Sequence, residues 1–264
     1  MKSQHFNIKS ILFSFLNNFE SKLDSKLLSG NLHAINYLEA YPTKIDWFIL
    51  SANSNAIHLL SKNMDKIHWG MLSQNPNAIS LLEQNPDKID WYTLSANHNA
   101  MHLLERNPDK IDWCMLSGNC NAIHLLEPNL RIKKCSLWYL SANSKAISLL
   151  ENNMHIIHWN ILCYNKNAID LLRKNHTKID WKILSGNRKA ISLLEQNQDK
   201  IDWKNLSRNY NAIHLLEQNP EKINWKELSG NHNAIHLLEK NITKIDWKEL
   251  SRNQNIFNSY HIKK

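Results

Sequence analysis

Glycine and proline are scarce in this sequence, five and six among 264 residues, fewer than a fold built from sheets and conventional loops consumes. Helix is therefore favoured before any motif is read. Long apolar runs are also missing. The longest early one, Ile11 to Leu16 with Ser14 inside it, is far short of the ~20 residues of a membrane span, and no small-residue cleavage site follows it. We expect neither a signal peptide nor a transmembrane helix. Cysteine is limited to Cys114, Cys120, Cys135 and Cys163, without the paired spacing of a disulfide framework, which points to free thiols in a reducing, intracellular compartment. No phosphate-binding, nucleophile-elbow, zincin or dinucleotide motif occurs, and the carboxylates recur without one distinct pair. The chain is accordingly expected to be no enzyme and to need no cofactor or metal. At 42% apolar and 21% charged residues there is enough to bury a core, which excludes wholesale disorder.

What is present is repetition. Tryptophans fall at 47, 69, 91, 113, 138, 159, 181, 203, 225 and 247, and all intervals but one are 22 residues or within one of it. The exception is 25, across Leu130 to Ser136, where two extra residues put Leu137 at the usual Trp position. Such a period dictates the fold and is read before any single segment. The unit is N-P-D-K-I-D-W-x-x-L-S-x-N-x-N-A-I-H-L-L-E-x, seen most cleanly from Asn85 to Arg106.

Two helix signatures are nested in it. Asp90 before Trp91 is an N-cap, with Ile89 and Leu94 spaced as a hydrophobic staple, and a helix of about six residues is expected after it. Glu227 and Glu249 stand where they would complete capping boxes. In the second signature Asn75 caps a helix starting at Pro76, with Ala78, Ile79, Leu81 and Leu82 on one apolar face. That helix is expected to end near Asn85 in a left-handed conformation, and Pro86-Asp87-Lys88 to turn the chain back. Neither helix is long enough to be stable alone, so stacking must supply the stability.

The expected architecture is an elongated all-α solenoid of about ten units, two short helices each, with an N-terminal cap helix. A leucine-rich-repeat horseshoe competes, because I-x-W-x-x-L-S-x-N partly imitates its pattern, but fails where Lys182, Lys204, Lys226 and Lys248 occupy a leucine position. Residues 1–24 carry Ile8, Ile11, Leu12, Phe15, Leu16 and Phe19 at helical spacing and read as an N-terminal cap helix. Residues 25–255 are the array, and 256–264 a basic tail.

The reiterated K-I-D-W-x-x-L-S-x-N-x-N-A-I-H-L-L-E, as in Lys110 to Glu127 and Lys222 to Glu239, resembles repeat arrays in proteins of large DNA viruses that infect amoebae and other protists. The resemblance covers residues 28 to about 255. It implies a viral origin, a helical-repeat fold and a place in the host cytoplasm, and it implies no particular activity.

Function must then be sought in what varies. His58, His102, His124, His214 and His236 share one register, but neighbouring helices ~8–10 Å apart make a closed metal site awkward. The Trp and Asn columns read as packing and capping. After each Trp, however, come Phe48-Ile49, Gly70-Met71, Tyr92-Thr93 and Cys114-Met115 early, and Lys204-Asn205, Lys226-Glu227 and Lys248-Glu249 late. Variable side chains on a constant frame are how repeat scaffolds build a binding face. The expected function is a non-catalytic scaffold for a protein partner, contacted through Phe48, Ile49, Met71, Tyr92 and Met115. The alternative is nucleic-acid binding. Net charge is +8, and residues 159–264 hold 18 basic against 11 acidic residues. Contact would then come through Lys182, Lys204, Lys226 and Lys248, with Arg188, Arg208 and Arg252.

Overall fold

The computed structural model describes residues 24–130 and 135–256. The helix expected over 1–24 lies outside them apart from Asp24, and the tail expected over 256–264 apart from Ile256. All regular structure among the described residues is helical, so the parallel strand of a leucine-rich repeat is absent from them.

Among the described residues there are eleven first helices and ten second helices, so the array is ten full units and the first half of an eleventh. Numbered by their N-cap residues, units 1 to 11 begin at Asp24, Asp46, His68, Asp90, Asp112, Ser136, His158, Asp180, Asp202, Asn224 and Asp246. Unit 1 escapes a search for Trp because Ser25 holds that place. A unit is a first helix of four to six residues, such as Trp91–Leu94 or Trp203–Arg208. A tight turn and a second helix follow, such as Met101–Arg106, and then a single 3-10 turn, Pro108–Lys110. In unit 5 the second helix runs on through Pro128 to Asn129, and Ser136 restarts the register with Leu137 in the Trp position.

The first-helix cap is as expected: Asp90 accepts from the Thr93 amide at 3.0 Å. Three local expectations are corrected. The cap's own amide is not taken by a capping-box Glu; Asp246 N donates to Ser229 Oγ of the preceding unit at 2.9 Å. Glu227 and Glu249 turn instead to Arg208 and Arg252. Secondly, the second helix starts at Ile79 rather than Pro76, because Asn75 is drawn into an Asx turn, accepting from Asn77 N at 3.0 Å. Its amide reaches the previous unit's Ser51 O and Asn53 O at 3.1 and 3.0 Å. Thirdly, the second helix ends without a left-handed residue: Asn85 has φ −134°, and its Nδ2 caps the Leu81 carbonyl at 2.9 Å.

These bonds recur from unit to unit. The L-S serine, Ser51 for instance, donates to Trp47 O at 2.7 Å and accepts from the next cap, His68 N, at 3.0 Å. The asparagine two residues on bonds two carbonyls of the unit before it. Both side chains are buried throughout, so their polar atoms are bonded as burial requires. Around them lies a continuous core of one Ala and two invariant Leu columns, for example Leu94, Ala100 and Leu104, all without exposed surface. Nine of the ten tryptophans, all but Trp138, are half-buried against it, and the 3-10 turn at the end of the same unit can lay a lysine over the indole, as Lys110 does over Trp91 at 4.6 Å.

The solenoid is not open. Asp24 N donates to Ser251 Oγ at 3.2 Å, and Asn31 Nδ2 donates to Ser251 O at 3.2 Å and Asn253 O at 3.5 Å. These are the bonds that join every other consecutive pair, here joining unit 11 to unit 1. Lys248 reaches Asp24 across the same seam at 4.0 Å. The array therefore closes into a ring, correcting the elongated form expected from repetition alone. Successive first helices approach more closely than successive second helices, so the first helices form the inner circumference. At a helix spacing of ~8–10 Å, eleven of them close a circle roughly 30 Å across between opposite axes.

Candidate binding face

On a first helix, the residues three and four after the Trp point into the core, leaving the first and fifth exposed on the opposite side. The turn that follows adds the seventh and eighth positions. One face of the ring thus carries three variable columns and, at the eighth position, a column that is mostly asparagine, and closure makes each column circular.

Along the post-Trp column, units 2 to 6 show Phe48, Gly70, Tyr92, Cys114 and Trp138, and units 8 to 11 show Lys182, Lys204, Lys226 and Lys248. Lys26 of unit 1 follows Lys248 across the seam. The ring is divided into an aromatic arc and a lysine arc. Phe48, Tyr92 and Trp138 are exposed at 48%, 56% and 48%. Phe48 packs edge-on against His68 with centroids 4.6 Å apart, and Trp138 likewise against Tyr139 at 4.9 Å. Of the other residues expected at a partner surface, Ile49, Met71 and Met115 are half-buried, set back between the exposed positions. Trp138 went unread as a surface residue because it counts among the tryptophans; the Leu137 register shift was the available signal.

Carboxylates shadow the lysine arc. Glu227, nearly buried, pairs with Arg208 and stands 3.9 Å from Lys204. Glu249 holds Arg252 at 3.4 Å, and Asp24 stands by Lys248. The four candidate lysines are brought into one row, but two of them are partly neutralised.

The turn columns carry a second feature. The Arg188 guanidinium lies 3.6 Å from the Tyr210 ring centre, and Tyr210 lies 4.2 Å from His232, a stack of one side chain per unit through units 8, 9 and 10. Burial and then the Arg188 charge hold His232 below the ordinary imidazole range, so it stacks as a neutral ring near pH 7. Next to Arg188 opens a cleft of about 520 Å³, lined among others by Tyr164, Lys166, Gly186, Arg188 and Lys189. Sequence reading overlooked this stack because its members differ in type; only their 22-residue spacing joins them.

The other candidate columns have structural partners. His58, His102, His124, His214 and His236 each meet a glutamate of the preceding unit, at 2.7 to 3.0 Å. No group of three or more potential ligands forms a metal site among the described residues. Cys163 replaces the serine of L-S and does its work, donating to Trp159 O at 3.3 Å and accepting from Asp180 N at 3.4 Å. Burial pushes its thiol up to about 11. Among the described residues no helix is long and apolar enough to cross a membrane. No protein-family model, curated protein or solved structure matches the chain.

Proposed function

We propose that the chain is a non-catalytic ring scaffold that binds a protein partner on its aromatic arc. One observation carries this reading. Six large apolar side chains are exposed among the described residues, Phe48, Tyr92, Trp138, Met154, Tyr164 and Ile242. Three share the post-Trp register, and Tyr164 stands one helical turn beyond it. Exposed apolar residues scattered singly need no explanation, whereas a gathering on one face marks an interaction surface. Large aromatics on a rigid frame are also the side chains that carry interface energy. The resemblance to viral repeat arrays fits a scaffold acting inside an infected cell.

The test is recovery of bound proteins from a cell extract by the wild-type chain and by a Phe48→Ser, Tyr92→Ser, Trp138→Ser variant. All three side chains project outward, so the fold should persist, as circular dichroism will check. The expected result is loss of specific partners from the variant. Undiminished recovery removes this face from the proposal.

Nucleic-acid binding is the second reading, favoured by closure, which extends the lysine row to five consecutive units through Lys26. The carboxylates beside Lys204 and Lys248 weaken that row as a phosphate track.

A further inference from the structure

The cleft across units 6 to 9 has a different character from the lysine row, and we propose that it binds single-stranded nucleic acid. Its lining residues include three cations, Lys166, Arg188 and Lys189, and no carboxylate. Its volume, about 520 Å³, falls within the ~300–1,000 Å³ of small-ligand pockets, enough for a nucleotide and too little for a duplex. Tyr164 stands at its side with 64% of its surface exposed, the most exposed of the large apolar residues. Gly186 forms part of its floor, where a Cβ would meet only Ile183 O at 3.5 Å.

Lys189 shows that this place departs from what the frame requires. In eight of the eleven units its register holds an asparagine whose Nδ2 bonds a carbonyl of the preceding unit, as Asn167 bonds Ser144 O at 2.8 Å and Asn211 bonds Arg188 O at 3.0 Å. In unit 6 the substitute, Lys145, still spans the interface, donating to Asn121 Oδ1 at 2.9 Å. Lys189 makes no such side-chain bond and lines the cleft instead. Among the described residues neither Lys166 nor Lys189 has an acidic partner within ion-pair distance, so both charges are free to meet an anion.

The chemistry selects the ligand. An acidic peptide would satisfy the cations but leave the tyrosine face unused. A single strand offers phosphates and flat bases together, and base stacking on an exposed aromatic is worth ~1–3 kcal/mol. Arg188, braced from behind by Tyr210, presents a fixed guanidinium plane for a phosphate. Beyond the cleft the strand would follow the exposed lysines from Lys182 onward. Tyr164 is the one residue shared with the apolar gathering beside the aromatic arc; Phe48, Tyr92 and Trp138 take no part.

The experiment is a fluorescence-anisotropy titration of short labelled oligouridylate and oligothymidylate with the full chain. With three phosphates neutralised, affinity should fall roughly 20-fold between about 50 and 200 mM salt. Tyr164→Ala should weaken binding about tenfold, the stacking of one base. Lys166→Glu with Lys189→Glu should abolish it, and Gly186→Leu, which fills the cleft without changing charge, should weaken it strongly. Lys62→Glu, on the second helices' side, should leave affinity unchanged. The proposal is overturned if no strand binds at the lower salt, or if Tyr164→Ala and Gly186→Leu bind as the wild type does. It is equally overturned if polyglutamate competes as well as unlabelled oligonucleotide, which would make the site one for acidic proteins.

Discussion

At the scale of the residue, the molecule depends on two small polar side chains more than on its tryptophans. Asn97 is 2% exposed; its amide bonds Ser73 O and Asn75 O, both at 3.0 Å, and its oxygen accepts from Asn99 N. Asn97→Ala removes three bonds and strands the buried Ser73 carbonyl, while Asn75 O keeps its bond from Ala78 N, so it should destabilise by about 2–4 kcal/mol in chemical denaturation. Trp91→Ala should cost less than Leu94→Ala, ~1–2 against ~2–4 kcal/mol, because the indole is half-buried under Lys110 and the leucine has no exposed surface. Cys163→Ser restores the serine that the other units carry and should change stability by less than ~1 kcal/mol. The Cys163 thiol is raised from 9.0 to about 11. Its contribution to stability is therefore complete below pH 9 and is lost as pH rises from there to about 11. Alkylation in the native state should accordingly spare Cys163 while modifying the less buried Cys114 and Cys120, as peptide mass mapping will show.

At the scale of the element, each helix is too short to persist alone, and what sets its ends is supplied largely by the neighbouring unit. The first-helix cap was legible because Asp at that position has one physical use; its side chain meets the N3 amide within its own unit. The second-helix start was not legible, because Asn before Pro reads the same whether its side chain caps the helix or crosses to the preceding unit. Asn75 does the latter, and the helix begins three residues on. The absent left-handed residue has the same origin: Asn85 looked suited to positive φ, but its amide satisfies a carbonyl directly. Unit 7 offers the converse test. His158 makes no side-chain cap bond, and Ile161 N turns to Asn160 instead. His158→Asp should stabilise by ~0.5–1.5 kcal/mol, read as a higher denaturation midpoint with unchanged slope. An unchanged midpoint would show that Asn160 already meets the need.

At the scale of the whole molecule, the period revealed the all-helical frame, and the variable post-Trp column pointed to part of the proposed binding face. Closure was hidden. It depends on the small rotation accumulated per unit, about 33° when a full turn is shared among eleven, and no single residue encodes that angle. The second half of the first unit, residues 28–40, was legible as a unit lacking its Trp; its first helix was not, since Ser25 replaces that Trp, although Asp24, Ser29 and Asn31 keep the other marks of the repeat. Closure changes what damage to the ends should do. In an open array Trp47→Ala and Trp247→Ala would each lie near a free end and cost less than Trp91→Ala, whereas in a ring all three units have two neighbours. The three variants should therefore lose similar stability. Closure also joins Lys26 to the lysine row and sets that row opposite the aromatic arc, an arrangement that an elongated solenoid does not have.

The ring itself is best tested by a distance across the seam. Spin labels at Lys26→Cys and Lys226→Cys, in a chain with its native cysteines changed to serine, sit two units apart if unit 11 joins unit 1. Labels at Lys182→Cys and Lys226→Cys are two units apart by sequence and provide the reference. Double electron–electron resonance should give the two pairs matching distributions near ~20 Å, two helix spacings. An open solenoid would place the seam pair nine spacings apart, roughly 70–90 Å, and a distribution at that length would contradict the closed ring.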